Sequence, residues 1–595
     1  MIVRPQPLVL VLVVSLPLFA SGCPSVVCGP GTEEVDGVCL PIPADDDDDT
    51  TDDDDSATTD DDDATEVVDP GYPDFPDVVD VLTIQIRTGY GSFAGTDDNP
   101  LSVCLTETAC FGLNVPDVDD FRVGEMDVYS WEGVGLARAD VDRIQILSDE
   151  GQDKWMPHCM DIRFDGEPVY CNSLEGLEFG EEDDELTDWT DPDGLHQACD
   201  TCWEQSLTHG PMVGAVTDST ARVHLRADAT RQVALHLGAA DTEDAPVVAW
   251  LYPPASRDLT TEALVQGLTA DTEYVFWVEI EGGAKSGFGS FRTAPAPGTP
   301  GELSVAFGSC TKADEQPAFA HARSMEPDLF LFIGDNHYAN SPDLNALRWY
   351  YRWSMERDQR AQLLSETSIL ATWDDHDYVG NNTDGYDAGK ETALRVFGEY
   401  WANPSAGTPE IEGVFFEHSW GDVDFFFVDD RYWRGFDDSV LGAPQTEWLL
   451  AALDASDATF KVLVCGSQWT SEGSSDSWAS FLPARDAILD HISDNAIDGV
   501  VLLSGDVHRS EFRTTPRAAA GGYDIPEITS SPMATTNSSC GSDDLLLECF
   551  ASNDYFISLD FDTAAPEPSM EAVIWDAAGV EQAAWMILAS DLEGP

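Results

Sequence analysis

The chain has 595 residues, 43% hydrophobic and 10% aromatic, enough to build several cores, which excludes a wholly disordered protein. Its 28 Lys and Arg stand against 112 Asp and Glu, a formal net charge of −84, and such a surface repels phosphate polymers, so no nucleic-acid binding is expected. After the first 22 residues there is no apolar run of about 18 or more, which excludes a bundle of membrane-spanning helices. Part of the charge is local, since Asp45 to Asp63 holds 13 Asp and no base, but the rest of the chain is acidic as well. Ten of the 13 Cys lie close together as Cys28/Cys39, Cys104/Cys110, Cys159/Cys171, Cys199/Cys202 and Cys540/Cys549. Short-range pairing in an oxidising compartment is the simplest expectation for them. Cys23, Cys310 and Cys465 remain.

Arg4 precedes an apolar stretch from Leu8 to Ala20, too short to span a bilayer comfortably, which predicts a signal peptide at 1–22. Its end, Ala20-Ser21-Gly22-Cys23, resembles a bacterial lipoprotein signal, although that family usually has Leu where this chain has Ala20. The resemblance implies acylation of Cys23 and a membrane anchor on the cell envelope, at the outer membrane or cell surface. A small Cys-containing segment (23–43) and an Asp-rich disordered linker (44–75) follow. Like charges repel, so the linker is expected to be an extended spacer, and it lacks the turn glycine of a calcium loop.

From Val78 short strands are predicted, among them Leu82 to Ile86, Phe121 to Gly124, Met126 to Tyr129 and Val141 to Ile146, a spacing that argues a β-sandwich over 76–175. Their order, with the turn Gly95-Thr96-Asp97 and Trp155, resembles the PLAT (lipoxygenase-homology) domain over residues 79–173. That resemblance implies contact with a lipid surface or a protein partner. An acidic linker (176–205) leads to paired strands at Pro211 to Val216 and Thr220 to Leu225. Leu268, Thr272 and Tyr274 stand at the spacing of a tyrosine corner. This unit, 206–296, resembles a fibronectin type III-like β-sandwich.

From Leu303 the texture becomes α/β. Leu303 to Phe307 ends in Gly308-Ser309-Cys310, and Asp328 to Ile333 ends in Gly334-Asp335-Asn336-His337-Tyr338. Ser368 to Trp373 ends in Asp374-Asp375-His376-Asp377, and Val500 to Leu503 ends in Ser504-Gly505-Asp506-Val507-His508. Each apolar strand thus stops at metal-capable side chains, where α/β sheets gather ligands. Asp335, Asp375 and Asp506 offer hard oxygens, His508 nitrogen, Tyr338 a phenol and Cys310 a thiol. Phenolate and thiolate together favour a strongly acidic metal, so iron(III) fits better than magnesium, and a carboxylate-fed second position suits calcium, manganese or magnesium. Asp335 is the natural bridge. Two cations ~3.5–4 Å apart stabilise the attacking and leaving oxygens of a displacement at phosphorus.

These motifs, with Asn381-Asn382, Asp429-x-Arg431, Gly442-x-x-Gln445 and Trp448-Leu449, resemble the alkaline phosphatase D family of metallophosphoesterases. The rival purple acid phosphatases would show Gly-Asn-His in place of Asp374-Asp375-His376, Gly-His-x-His in place of Gly505 to His508, and no Cys ligand. The resemblance implies an α/β metallophosphoesterase domain at 297–595, a β-sandwich core flanked by helices. It implies hydrolysis of small phosphomonoesters and phosphodiesters by attack of a metal-activated water or oxide. Cys310, Asp335, Tyr338 and His508 would hold Fe(III), and Asp335, Asp375 and Asp506 would hold Ca(II). His376 is placed to contact phosphate or protonate the leaving group, Arg431 or Arg434 to take a phosphate oxygen, and Asn381 or Asn382 to hold substrate or metal. The competing expectation is a lipid- or partner-binding lipoprotein with an inactive, metal-holding domain. His337 is expected at the surface or behind the ligands rather than as a ligand, His321, His418 and His491 are expected to be structural, Cys465 core, Arg352 and Arg357 ion-paired, and Trp349, Tyr350, Tyr351 and Trp353 packing.

Overall fold

In the computed structural model the chain divides into two units, Met1–Asp74 and Phe75–Pro595. The structure describes residues 32–35, 38–41 and 78–594, except 89–100, 114–125, 149–156, 175–176, 178, 180–187, 192–206, 228–231, 241, 243–244, 281–284, 471–475, 519–520 and 537. The signal peptide, Cys23, the Asp-rich linker, Trp155, the Phe121 to Gly124 strand and the Cys199/Cys202 pair therefore lie outside the described residues, as does Cys28. In the first unit Thr32–Val35 and Val38–Pro41 pair antiparallel.

The second unit begins with two facing four-stranded antiparallel sheets. One orders Met126–Ala137, Val78–Thr88, Pro157–Phe164 and Glu167–Ser173; the other orders Asp188–Thr190, Gln145–Ser148, Leu101–Cys104 and Cys110–Leu113. Alternate residues Leu82, Ile84 and Ile86 point inward against Leu101, Val103, Ile144 and Ile146, as the two-residue period of a strand requires. The expected sandwich is present, with two corrections. The strand predicted from Val141 starts only at Gln145. The acidic stretch expected as a linker supplies Asp188–Thr190 and the buried Asp191, which accepts hydrogen bonds from Tyr170 (2.6 Å) and Asn172 (2.8 Å).

The helix Leu344–Met355, N-capped by Asp343, closes this sandwich from outside. Ala346 and Trp349 enter its core, with Tyr350 and Trp353 beside them, while Tyr351 packs into the neighbouring core. The aromatic group is packing, as the sequence suggested.

The next β unit is not a separate domain. Its strands Thr260–Gln266, Thr220–Ala227 and Leu207–Gly214 continue, through a parallel contact of Gly214 with Ile369, into the large sheet of the α/β part. A side chain at Gly214 would strike the Ala402 carbonyl at 2.6 Å, so glycine permits this close approach. A second sheet, Val247–Leu251, Val233–Ala239, Glu273–Ile280 and Lys285–Arg292, covers the unit, and its core is continuous with that of the α/β part. The tyrosine corner is real: the Tyr274 hydroxyl accepts from the Thr269 amide at 2.9 Å.

The α/β part is built on two packed sheets. The nine-stranded sheet continues with Ser368–Thr372, Leu329–Ile333 and Glu302–Gly308, mutually parallel, and ends in Tyr555–Asp562, Ser569–Asp576 and Glu581–Leu588. The seven-stranded sheet holds Phe416–Trp420, Val423–Phe427, Phe460–Val464, Val500–Ser504, Ile525–Thr529, Ser510–Thr515 and Leu546–Phe550. Leu329, Leu331 and Ile333 face the other sheet, while Phe330 and Phe332 face an outer layer of helices, Pro317–Ser324, Asp358–Glu366 and Lys390–Tyr400. Gly442–Ala455 and Leu482–Asp494 cover the opposite side. Both faces of the central strands are thus covered, which is why they read as unbroken apolar runs. Among the described residues no helix is long and apolar enough to cross a membrane.

Disulfides Cys104–Cys110 and Cys540–Cys549 form as expected. Cys171 is disulfide-bonded, but not to Cys159, so the expected pairing is not the one made. The strand register explains this: Cys159 lies opposite Ser173, and Cys171 opposite Asp161.

Candidate metal centre

The site lies between the two sheets, at the ends of strands from both. Glu302–Gly308, Leu329–Ile333 and Ser368–Thr372 deliver Cys310, Asp335 and Asp375 from one sheet; Val500–Ser504 delivers Asp506 and His508 from the other. Ligand atoms of Cys310, Asp335 and His508 all lie within 4.8 Å of one another, and so do those of Asp335, Asp375 and His376. Asp335 belongs to both groups. Its Oδ2 accepts from the Cys310 thiol at 3.3 Å and from the Tyr338 hydroxyl at 3.1 Å. The Tyr338 oxygen also lies 3.2 Å from His508 Nε2.

Four of these side chains sit on backbone that few residues adopt. Cys310, Asp335, Asp506 and His508 have φ of 62°, 52°, 68° and 54°. Left-handed conformations at non-glycine residues are costly and persist where the surroundings impose them, often at functional sites. Here the tight turn after each strand swings the side chain back toward the centre.

The electrostatics are those of buried acids crowded together, with Arg431 at one edge. Burial pushes the Cys310 thiol up to about 12. Burial, with Cys310 and Asp375 alongside, raises Asp335 well above the usual carboxylate range. Burial, with Asp375 and Asp476, brings Asp506 up to about 7, and burial beside Asp335 raises Tyr338 as well. Burial also acts on Asp375, but Arg431 and His376 outweigh it and hold that carboxyl low. Asp375 Oδ1 is buried without a hydrogen-bond partner. Buried carboxylates in such company call for a cation, and the mixed thiol, phenol, imidazole and carboxyl donors fit metal binding.

Asp506 is in neither close group; its carboxyl is instead influenced by Asp375, Asp476 and Arg431. His376, expected as an acid, takes the third place beside Asp335 and Asp375, with its ring 4.1 Å from that of Tyr338. Asn381 and Asn382 are exposed; Asn382 reaches the site through its amide, which donates to Asp375 Oδ2 at 2.6 Å. Arg431 is not free for phosphate. It is fully buried, donating from Nε to Asp374 (2.6 Å) and from Nη1 and Nη2 to Asp476 (3.1 and 2.6 Å). Arg434 is likewise held by Asp476. Arg431 therefore positions the Asp374-Asp375 turn. Its neighbour Asp429 ties Trp373 Nε1, the amides of Val414, Arg431 and Tyr432, and Gln445 into one knot, so Asp429-x-Arg431 and Gln445 serve the scaffold.

Several residues near the centre were not singled out from sequence. Asn340 Oδ1 meets His376 Nδ1, the Ser531 hydroxyl donates to Cys310 Sγ at 3.2 Å, and Asp377 receives the His337 amide and Asn336 Nδ2. Only Asp377, inside the acidic run after a strand, carried a signal. His337 is wholly buried against Tyr351, which removes the surface alternative and leaves it behind the ligands, its amide on Asp377; Cys465 lies under Trp478 in the core, as expected. Arg352 pairs with Asp258 and Asp127, and Arg357 with Glu356 and Asp314.

The family model described as PhoD-like phosphatase matches residues 305–548, the span that carries every one of these ligands. Alkaline phosphatase D of Bacillus subtilis (strain 168) is 25% identical over 325 residues, covering 43% of this chain and 54% of that protein. The chain thus spans about half the length of the curated relative it matches. The solved structure of PhoD is similar with a TM-score of 0.54 at 16% identity, covering 63% of this chain and 92% of that one. A purple acid phosphatase from yellow lupin (Lupinus luteus) seeds is similar with a TM-score of 0.52 at 10% identity, covering 86% and 92%. Both likenesses concern the fold. The PhoD-like domain shares its two-sheet scaffold with either, and its Cys310 and Asp375 separate it from the pattern expected of the purple enzymes.

Proposed function

We propose that the chain is an extracytoplasmic, metal-dependent phosphoesterase acting on small phosphomonoesters or phosphodiesters. The observation that carries this reading is Asp335, one carboxylate common to two buried clusters of metal-capable groups. Cys310, Asp335, Tyr338 and His508 would hold iron(III); Asp335, Asp375 and Asp506 would hold calcium, with His376 beside them. When bound, such a pair lowers the pKa of an attacking water and stabilises charge on the phosphoryl oxygens.

The chain's own groups do the rest. Asn340 Oδ1 accepts from His376 Nδ1–H, which leaves Nε2 free to take a proton and pass it to a departing alkoxide. Burial lowers the pKa of His376, which favours the neutral ring. The Asn382 amide fixes Asp375, and Arg431 fixes the turn beneath it.

Disulfides at Cys104–Cys110 and Cys540–Cys549 support an oxidising compartment, and the sequence before Cys23 supports a lipid anchor there. The PLAT-like reading of residues 79–173 as a lipid or partner contact belongs to the same proposal. It concerns faces other than the one closed by Leu344–Met355.

The test is turnover of bis-p-nitrophenyl phosphate and p-nitrophenyl phosphate by the full chain loaded with iron and calcium, with Asp335→Asn as control. Turnover of either substrate, lost in the variant, is expected, with both metals found by elemental analysis. A metal-replete chain that turns over neither substrate would move the reading to a binding lipoprotein. Mass spectrometry of the N-terminal peptide should find Cys23 acylated.

A further inference from the structure

The segment after the Asp375 turn carries an exposed aromatic ring on a rigid mount. Tyr386 is 67% exposed, the most exposed large apolar side chain among the described residues. Its ring stacks on Phe436 with centroids 4.3 Å apart and planes 20° from parallel. Trp433 braces Phe436 edge-on at 5.7 Å, and Lys390 Nζ lies 5.2 Å from the Phe436 centroid. The chain beneath is stitched on both sides. The Tyr386 amide donates to Asp384 (2.9 Å), the Gly385 amide to the Arg434 carbonyl (3.0 Å), and Arg431 Nη1 to the Thr383 carbonyl (3.3 Å). A side chain at Gly385 would meet the Tyr432 carbonyl at 2.7 Å, so glycine lets the two segments touch.

The same segment begins at the metal centre, because the Asn382 amide bonds Asp375 at 2.6 Å. From Asn382 to Tyr386 is at most about 14 Å of chain, and shorter where it turns. An aromatic face held this way loses little freedom on binding and offers stacking to any flat ring. Lys390 adds one of the chain's few cations behind it, in a protein of net charge −84.

We propose that Tyr386, backed by Phe436, is a specificity-determining platform that receives a flat aromatic group esterified to the scissile phosphate. The proposal rests on the phosphoesterase reading for the position of the phosphate. Stacking on a protein ring changes affinity by roughly tenfold. The platform therefore favours aryl or nucleobase-bearing phosphate esters over alkyl ones.

The experiment is calorimetric binding to the metal-replete full chain, which does not depend on turnover. Phenylphosphonate should bind about tenfold tighter than methylphosphonate. Tyr386→Ala and Phe436→Leu should bring that ratio near one without changing the affinity for methylphosphonate, while Tyr386→Trp should keep the ratio. AMP set against ribose 5-phosphate tells the two sources apart: the same loss in Tyr386→Ala assigns the platform to nucleobases, and no loss assigns it to simple aryl groups. A wild-type ratio near one, or a ratio unchanged in Tyr386→Ala, overturns the proposal. Turnover of bis-p-nitrophenyl phosphate is measured on the same samples. A preserved ratio without turnover supports the platform and removes the hydrolase reading, so the two failures are distinguishable.

Discussion

Two clusters of buried charge lie in the same unit and behave in opposite ways. Around Asp258 the charges are matched. Its carboxylate accepts from Arg226 (3.2 Å), Arg352 (2.8 Å) and the Tyr400 hydroxyl, and Arg348 nearby pairs with Glu399 at 2.7 Å. Burial would raise Asp258, but Arg226 and Arg352 more than offset it and hold the carboxyl ionised. Around Asp335 the acids are unmatched, and burial with Cys310 and Asp375 raises the carboxyl. The first cluster joins the second β unit to the helices Leu344–Met355 and Lys390–Tyr400. Arg352 extends that tie to Asp127 of the first sandwich (3.6 Å). The second cluster bridges the two sheets only through weak contacts such as Tyr338 to His508 (3.2 Å), with no ion pair to Asp335 among the described residues. A complete network is structural mortar, whereas an incomplete one is a receptor for cations.

The same substitution should therefore have different consequences at the two places. Asp258→Asn leaves Arg226 and Arg352 buried without their partner and should cost about 3–5 kcal/mol of stability. The kcat of the molecules that fold should be preserved. Asp335→Asn replaces a carboxyl whose charged form burial, Cys310 and Asp375 disfavour with a neutral group of the same shape, so the metal-free protein should be no less stable than wild type. Activity should fall by more than the roughly 10- to 100-fold expected for losing an outer partner of a metal ligand. Denaturation midpoints and kcat/KM on both variants check this. A destabilised Asp335→Asn protein would break the distinction.

Arg431 sharpens the comparison because it is a matched cation at the edge of the unmatched cluster. Arg431→Gln uncovers Asp374 and leaves Asp476 to Arg434 alone, and should cost about 3–5 kcal/mol without metal. If the surplus negative charge is the cause, added calcium should restore part of the loss. Thermal melts with and without calcium measure it; an equal loss in both would assign Arg431 to packing alone.

Much of this site was legible because each parallel strand is a short apolar run that ends abruptly in chemistry. Cys310, Asp335, Asp375 and His508 could be found from that pattern. Arg431 was misjudged because an Asp-x-Arg spacing does not reveal which acids fold over the guanidinium; Asp476 is 45 residues away. The second β unit read as a domain because its strands alternate and turn like a sandwich. Its merger with the large sheet depends on one contact between Gly214 and Ile369, distant in sequence. Ser531 and Asn340 carry no pattern at all, since a lone polar residue in a loop acquires meaning only from what it faces.

Metal and proton should compete at the unmatched cluster. Burial brings Asp377 and Asp506 up to about 7 in the fold, against 3.8 when unfolded. A carboxyl raised on folding stabilises the metal-free protein below the unfolded value, and that contribution is lost as pH rises from about 4 to about 7. A cation replaces the lost protons, so the gain in melting temperature on adding metal should grow over that window. Buried histidines such as His224, lowered to about 4 by burial, act in both samples and cancel in the difference. A gain independent of pH would count against cation binding by these carboxyls.

The smallest contrast uses two tyrosines. The Tyr400 hydroxyl donates to Asp258 and the Tyr338 hydroxyl donates to Asp335 at 3.1 Å, so both bond a buried carboxyl. Tyr400→Phe removes one bond to a charge that the network holds ionised, and should lower stability by about 1.5–3 kcal/mol with no change in kcat. Tyr338→Phe removes a bond to a carboxyl that burial with Cys310 and Asp375 pushes toward its neutral form, so stability should change by less than about 1 kcal/mol. Its cost should appear instead as weaker iron retention on dialysis and lower kcat. Both rings are buried and both donate to a buried carboxyl; Tyr338 has His508 as a second partner, so the charge balance around each carboxyl is the main but not the sole difference. Equal stability losses would mean that the Asp335 cluster is already matched within the protein, and its claim on a cation would fall.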